Sequence, residues 1–128
     1  MRPVPRHRDA YGQQMWAFLN GGSPIEVVER DDGFVSTAHS NASYFDDIGK
    51  WSPIERRAIQ FARGRTALDV GCGAGRVALH LQSKGYRVTA IDNSPLAIKT
   101  ARARGVKHAR LFPFENIGQL SSGSLDTV

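Results

Sequence analysis

The stretch "DVGCGAGR", residues 69–76, sets an acid ahead of three glycines at alternate positions, and "AIDNSP" follows at residues 90–95. The apolar "TALDV" (residues 66–70) leads into the glycines and reads as a buried strand. Val77, Ala78 and Leu81 then fall on one face of a helix over residues 75–84, and Gly85 ends it. "RVTAID" predicts a second strand. Ser94 and Pro95 open a second helix as N-cap and first helical residue, and Gly105 lies beyond its end. "ARLFPF" predicts a third strand and "SLDTV" the opening of a fourth. This alternation implies a parallel sheet with helical crossovers.

A loop that leaves a parallel strand and opens a helix lies at the carboxyl edge of the sheet, where α/β proteins bind ligands. Gly71 and Gly73 carry no side chain there, so backbone can approach a ligand closely. Amides at the helix start near Gly75 would favour an anionic group. Asp92 ends the next strand, so its carboxylate can accept hydrogen bonds from a ribose diol. The phosphate-binding pattern GxxxxGK[ST] is not in the chain. The dinucleotide fingerprint needs a third glycine at position 76, where Arg76 stands.

The pattern Asp69-x-Gly71-x-Gly73-x-Gly75 resembles motif I of the class I S-adenosylmethionine-dependent methyltransferases. Residues 67–106 resemble that family's first strand–helix–strand–helix throughout, while "FPFEN" and "LDTV" fall where its third strand-loop and fourth strand belong. The resemblance implies an α/β fold, a Rossmann-like three-layer α/β/α parallel sheet, here truncated after the start of the fourth strand. It implies S-adenosyl-L-methionine as cofactor. Gly71 and Gly73, with Cys72 and Gly75 in the same loop, would lie against its methionine part. Asp69 would help hold the amino group, directly or through water. Asp92 would take the ribose hydroxyls, with Asn93 beside the adenosine and Phe114 and Glu115 bordering the adenine. The resemblance names no catalytic base, because the family's acceptor-facing region has no counterpart here.

The 128 residues are the usual size of one domain. Residues 52–128 form the expected, incomplete cofactor-binding domain. "SPIE" (residues 52–55) opens it with a capping box, and Ile54, Ala58, Phe61 and Ala62 make the expected buried stripe of the helix, ended by Gly64. Residues 1–51 form an N-terminal arm or lid. Within it residues 1–10 read as disordered. Tyr11, Met15, Phe18 and Leu19 share a helical stripe stopped by Gly21 and Gly22. "IEVVERDDGFVSTA" reads as a hairpin about Asp31-Asp32-Gly33. "HSNASYFDDIGKW" reads as irregular, and Tyr11, Trp16, Tyr44 and Phe45 as exposed aromatics.

The net charge of +5 is concentrated in the leader and in "KTARARGVKHAR", neither interleaved with aromatics for base stacking. Both read as a frayed tail and a solvated helix face, and no nucleic-acid partner is expected. No apolar run is long enough to cross a bilayer, and one cysteine, Cys72, suits a reducing cytoplasm. Cys72 reads as a small buried residue rather than a nucleophile. The four histidines lack metal-ligand spacing, with His80 expected on a helix surface. The expected function is methyl transfer to a small-molecule acceptor by a fragment of a longer enzyme. A complete short protein, paired with a second copy through its open sheet edge, is the other reading of the chain's end. A non-catalytic cofactor-binding module is one functional alternative. The other is a fragment of an NAD(P)-dependent oxidoreductase, in which Arg76 meets a phosphate.

Overall fold

In the computed structural model, residues 3–38 and 40–128 are described; Met1, Arg2 and His39 lie outside the described residues, and the expectations that touch them end there. A 3-10 turn, Arg6–Arg8, leads into α1, Ala10–Leu19. Strands β1, Glu26–Glu29, and β2, Val35–Ala38, form the expected antiparallel hairpin, with Glu26 opposite Ala38 and Glu29 opposite Val35. Gly33 closes its turn at φ +83°, in the left-handed region that favours glycine. Residues expected to be irregular coil into 3-10 turns at Ser40–Phe45 and Ile48–Lys50.

The tail expected to be disordered is instead tied to the fold at Val4 and Asp9. Val4 donates its amide to the Asn93 carbonyl at 3.1 Å. The Asp9 carboxylate, 3% exposed, accepts from the Gly12 amide (3.1 Å), the Ser94 hydroxyl (2.7 Å) and the Leu96 amide (3.1 Å). One side chain thus caps α1 and ties it to residues 94–96. An Asp ahead of an apolar-periodic run is an N-cap signal.

Helix α2, Pro53–Ile59, begins with the expected capping box of Ser52 and Glu55. Then follow β3 (Thr66–Val70), α3 (Arg76–Ser83), β4 (Arg87–Asp92), α4 (Pro95–Ala103) and β5 (Ala109–Leu111). The three strands are parallel in the order β3-β4-β5, the expected Rossmann-like topology. Asp69 stands opposite Ala90 and Val70 opposite Ile91, which brings the ends of β3 and β4 to one level. Beyond β3, Thr127 makes a parallel bridge with Ala67, where the fourth strand was expected to begin. Ala78 and Leu81 of α3 and Ile98 and Ala101 of α4 share one apolar core with Ala67, Val88, Ala90 and Ala109 of the sheet. Both crossover helices therefore cover the same face. Among the described residues no helix is long and apolar enough to cross a membrane.

Three expectations fail on packing. Of the stripe assigned to α2, Ile54 (77%), Ala58 and Phe61 (65%) are exposed; Ala62 packs against the core as expected, and Ile59 joins it there. The helix ends at Ile59, so Phe61 and Ala62 leave its periodicity. His80 is half-buried rather than on the surface, with its ring edge-on to Trp51 at 5.4 Å, and burial lowers its pKa. The basic stretch of α4 is not simply solvated. Arg102 donates to the Ala109 carbonyl, and Arg104 donates to the carbonyls of Ala74, Tyr44 and Phe45. Lys99 lies 4.0 Å over the Trp16 ring, and Arg104 stacks on Phe45, so those two aromatics are half-buried.

Gly75 is the tightest point of this packing. Its φ is +83°, and a Cβ there would stand 2.6 Å from Val106 Cγ2 and 3.3 Å from Ala101 Cβ. Replacing Gly75 with Ala adds backbone strain to overpacking of the α3–α4 contact. The expected cost is about 2–4 kcal/mol, read as a fall of roughly 10 °C in thermal melting. A Cβ at Gly71 meets nothing within 4 Å. Gly71→Ala should therefore cost only backbone strain, about 1 kcal/mol. Equal melting temperatures for the two variants would contradict this packing.

Candidate functional site

The carboxyl ends of β3 and β4 carry two loops that are hydrogen-bonded to each other. The Gly71 and Cys72 amides donate to the Ile91 carbonyl at 2.9 and 3.0 Å, extending the ladder past β3. The Asp92 carboxylate then spans the loops, accepting from the Gly73 amide through one oxygen and from the Ser94 amide through the other, each at 2.9 Å. Ser94 caps α4 by accepting from the Ala97 amide at 2.9 Å. Gly71, Gly73 and Gly75 take φ values of +70°, +52° and +83°, which explains glycine at all three positions of this bend.

Two clefts meet at these loops. The larger, about 650 Å³, is bordered by Gly71, Gly73, Asp92 and Asn93 on the sheet side and by Val4, Arg8, Asp9, Tyr11, Met15 and Tyr44 from the N-terminal arm. The smaller, about 180 Å³, shares Gly71, Asp92 and Asn93 and adds Val70, Ile91, Phe112, Phe114 and Glu115. Six of the residues singled out in the sequence thus line one or both clefts: Gly71, Gly73, Asp92, Asn93, Phe114 and Glu115. The clefts share Gly71, Asp92 and Asn93 in their walls, so an elongated ligand lying across those residues would reach both.

The other three lie outside the clefts. Cys72 is buried beneath the loop in the apolar core, where desolvation raises its thiol pKa. Gly75 packs against α4, and its amide is spent on the Cys72 carbonyl at 2.8 Å, so the anion-favouring amide expected there is not free. Asp69 lies on the α3 side of the loop and accepts from the Ala78 amide at 3.1 Å. It borders an apolar cavity of about 460 Å³ along β3, with Trp51, Ile59 and Phe61. Burial raises the Asp69 carboxyl pKa to about 6; the Ala78 hydrogen bond opposes this, and nearby Asp92 adds to it.

Arg76, read in the oxidoreductase alternative as a phosphate ligand, is engaged elsewhere. It pairs with Glu55 and stacks 4.9 Å over Trp51. That pairing, more than any other contact, holds the Glu55 carboxyl down at about 2. The arm was expected to cover the cofactor or shape the acceptor pocket, with Tyr11 and Tyr44 among its aromatics, but Val4, Arg8, Asp9 and Met15 were not named for it from the sequence. Asp9 ahead of α1 is a local sign of that approach; the arm residues reach Asp92 and Asn93 across 48 (Tyr44 to Asp92) to 89 (Val4 to Asn93) positions of chain.

Comparison with known proteins agrees with this geometry. A family profile described as a methyltransferase domain matches residues 68–128. Curated relatives include the ubiquinone biosynthesis O-methyltransferase of Xanthomonas oryzae pv. oryzae, 36% identical over 70 residues, which cover 51% of this chain and 29% of that protein. The enzyme of the same name from Methylocella silvestris is 46% identical over 55 residues, covering 43% of this chain and 22% of its own. The chain thus spans under a third of the length of these relatives. Among solved structures, an S-adenosylmethionine-dependent methyltransferase from Bacteroides fragilis, in complex with S-adenosyl-L-homocysteine, superimposes with a TM-score of 0.72 at 32% identity, covering 85% of this chain and 45% of that one. Fold, glycine bend and both kinds of match agree: residues 68–128 are similar to the methyltransferase domain family, and the chain's fold is similar to that of an S-adenosylmethionine-dependent methyltransferase.

Proposed function

We propose that this chain binds S-adenosylmethionine across the two clefts and supplies the cofactor half of a methyltransferase acting on a small-molecule acceptor. The observation that carries the reading is the Asp92 clamp. Its two oxygens hold the Gly73 and Ser94 amides, yet a carboxylate offers about four acceptor positions. The remaining ones suit the two hydroxyls of a ribose. Asn93 would lie beside the adenosine, with Phe114 and Glu115 bordering the adenine in the smaller cleft. Gly71 and Gly73 would face the methionine part, where a side chain at Gly71 would project into open space. Bound there, the cofactor supplies a methyl group activated by its sulfonium.

The chain's own residues position and enclose. Asp69 acts from beneath the loop, through its charge rather than by lining either cleft. The arm, residues 1–51, covers the cofactor held by residues 52–128, since Val4, Tyr11, Met15 and Tyr44 border the larger cleft. The names of the curated relatives support methylation of a small molecule on oxygen. Their matched segments cover the cofactor-binding part, so they speak to the acceptor less directly than to the cofactor.

Two measurements test this. Isothermal calorimetry should detect S-adenosylhomocysteine but neither NAD nor NADP. Asp92→Ala should weaken binding by roughly tenfold or more, as expected for a lost charge-assisted hydrogen-bond acceptor. An unchanged dissociation constant would remove Asp92 from the ribose. The second measurement is pH dependence. Because burial raises Asp69 to about 6, its ionised form costs folding free energy, and its contribution to stability falls as pH rises from about 4 to about 6. A ligand carrying an ammonium favours the ionised form, so binding should release a proton and tighten from about pH 5 to about pH 7. Asp69→Asn should flatten that slope, and a slope that survives would assign it to another group.

A further inference from the structure

We infer that Arg8 is the partner of the carboxylate at the amino-acid end of the cofactor; this rests on the binding mode proposed above and names a residue outside the glycine motif for it. The loop itself has few amides left for an anion. Those of Gly71 and Cys72 donate to the Ile91 carbonyl, that of Gly73 to Asp92, and that of Gly75 to the Cys72 carbonyl. The methionine end of the ligand therefore needs a cation from elsewhere.

Among the described residues lining the two clefts, Arg8 is the one basic side chain, and it borders the same cleft as Gly71 and Gly73. Arg76 and Arg104, which follow the glycine loop and α4 respectively, are committed. Arg104 donates to three backbone carbonyls, and Arg76 pairs with Glu55. Arg8 is exposed and is in none of the ion pairs among the described residues. A guanidinium presents paired donors that match a carboxylate in plane.

The backbone carrying Arg8 is held in place before any ligand arrives. On one side, Val4 is bonded to Asn93, and the Arg8 amide donates to the Pro5 carbonyl at 2.8 Å. The Gln13 side-chain amide holds the Arg6 carbonyl at 2.6 Å. On the other side, Asp9 is latched to Ser94 and Leu96. Gly12 permits that latch, because a Cβ there would stand 2.3 Å from the Ser94 hydroxyl and 2.4 Å from an Asp9 oxygen. A charge on a strap fixed at both ends loses little freedom when it meets its ligand.

The test is calorimetry on the 128-residue chain with two ligands, S-adenosylhomocysteine and 5′-methylthioadenosine. The second keeps the adenosine and the thioether sulfur but has no amino-acid end. Arg8→Gln should weaken S-adenosylhomocysteine about tenfold, the worth of one charge-assisted pair, and leave 5′-methylthioadenosine unchanged. Melting temperature should not move, since the Arg8 side chain is exposed and in no ion pair among the described residues, and Arg8→Lys should restore part of the affinity. Equal loss for both ligands, or no loss for either, would overturn the assignment while leaving the cofactor reading intact. A parent chain that binds neither ligand would sink both.

Discussion

Asp92 joins the two halves of the site. It ends β4, and its carboxylate reaches one amide in the loop after β3 and another in its own loop, each at 2.9 Å. Charge-assisted bonds of this kind contribute about 1.5–3 kcal/mol each when protected from water. Their larger effect is geometric. The parallel register sets Val70 beside Ile91, so the two strands end level and a single carboxylate can span their loops. The glycine bend is thereby a fixed wall rather than a flexible flap. The same bonds have a consequence for recognition: the amides of Gly71, Cys72 and Gly73 are used on the end of β4 and that of Gly75 within the bend. What it offers a ligand is shape, an open approach over Gly71, and the unused acceptor positions of Asp92.

Much of the cofactor-binding region was legible because its signals are local. Ser52 with Glu55, and Ser94 with Pro95, announce helix starts through bonds that span three residues. Alternate glycines after an apolar strand mark a bend that only positive φ can make. The hairpin about Gly33 is equally local. Six of the nine proposed site residues lie at the clefts for the same reason: the loop-to-strand spacing alone brings them to one sheet edge.

The rest depended on contacts distant in sequence. Asp9 and Ser94 meet across 85 positions, and no pattern near either announces the other. Cys72 and Gly75 show the opposite failure. The motif places them in the right loop, but their direction follows from packing, Cys72 into the core and Gly75 against Val106. Charge was misread likewise. Arg102 and Arg104 look like solvated helix residues until their carbonyl partners are seen, and α2's apolar residues look buried until the helix is seen to stop at Ile59.

The charges around the clefts follow one rule. Asp9 and Asp92 are neutralised by backbone amides, by a hydroxyl and by the starts of α1 and α4, not by basic side chains. Asp69 has the Ala78 amide and burial, and its carboxyl accordingly sits near 6. The three ion pairs among the described residues lie elsewhere, on Asp32, Asp46 and Glu55. Of the chain's 17 lysines and arginines, Arg8 is the one that lines either cleft among the described residues. Partial charges at helix starts stabilise a carboxylate but do not cancel its field as a lysine in contact would. Such a site suits a ligand with positive charge at its centre, and a sulfonium flanked by an ammonium brings that. A ligand of that kind ending in a carboxylate would meet the opposite sign only at the arm. The contribution of the arm is therefore electrostatic as well as topological: Asp92 faces the clefts from the sheet side, and Arg8, beside the latched Asp9, faces the larger one from the strap.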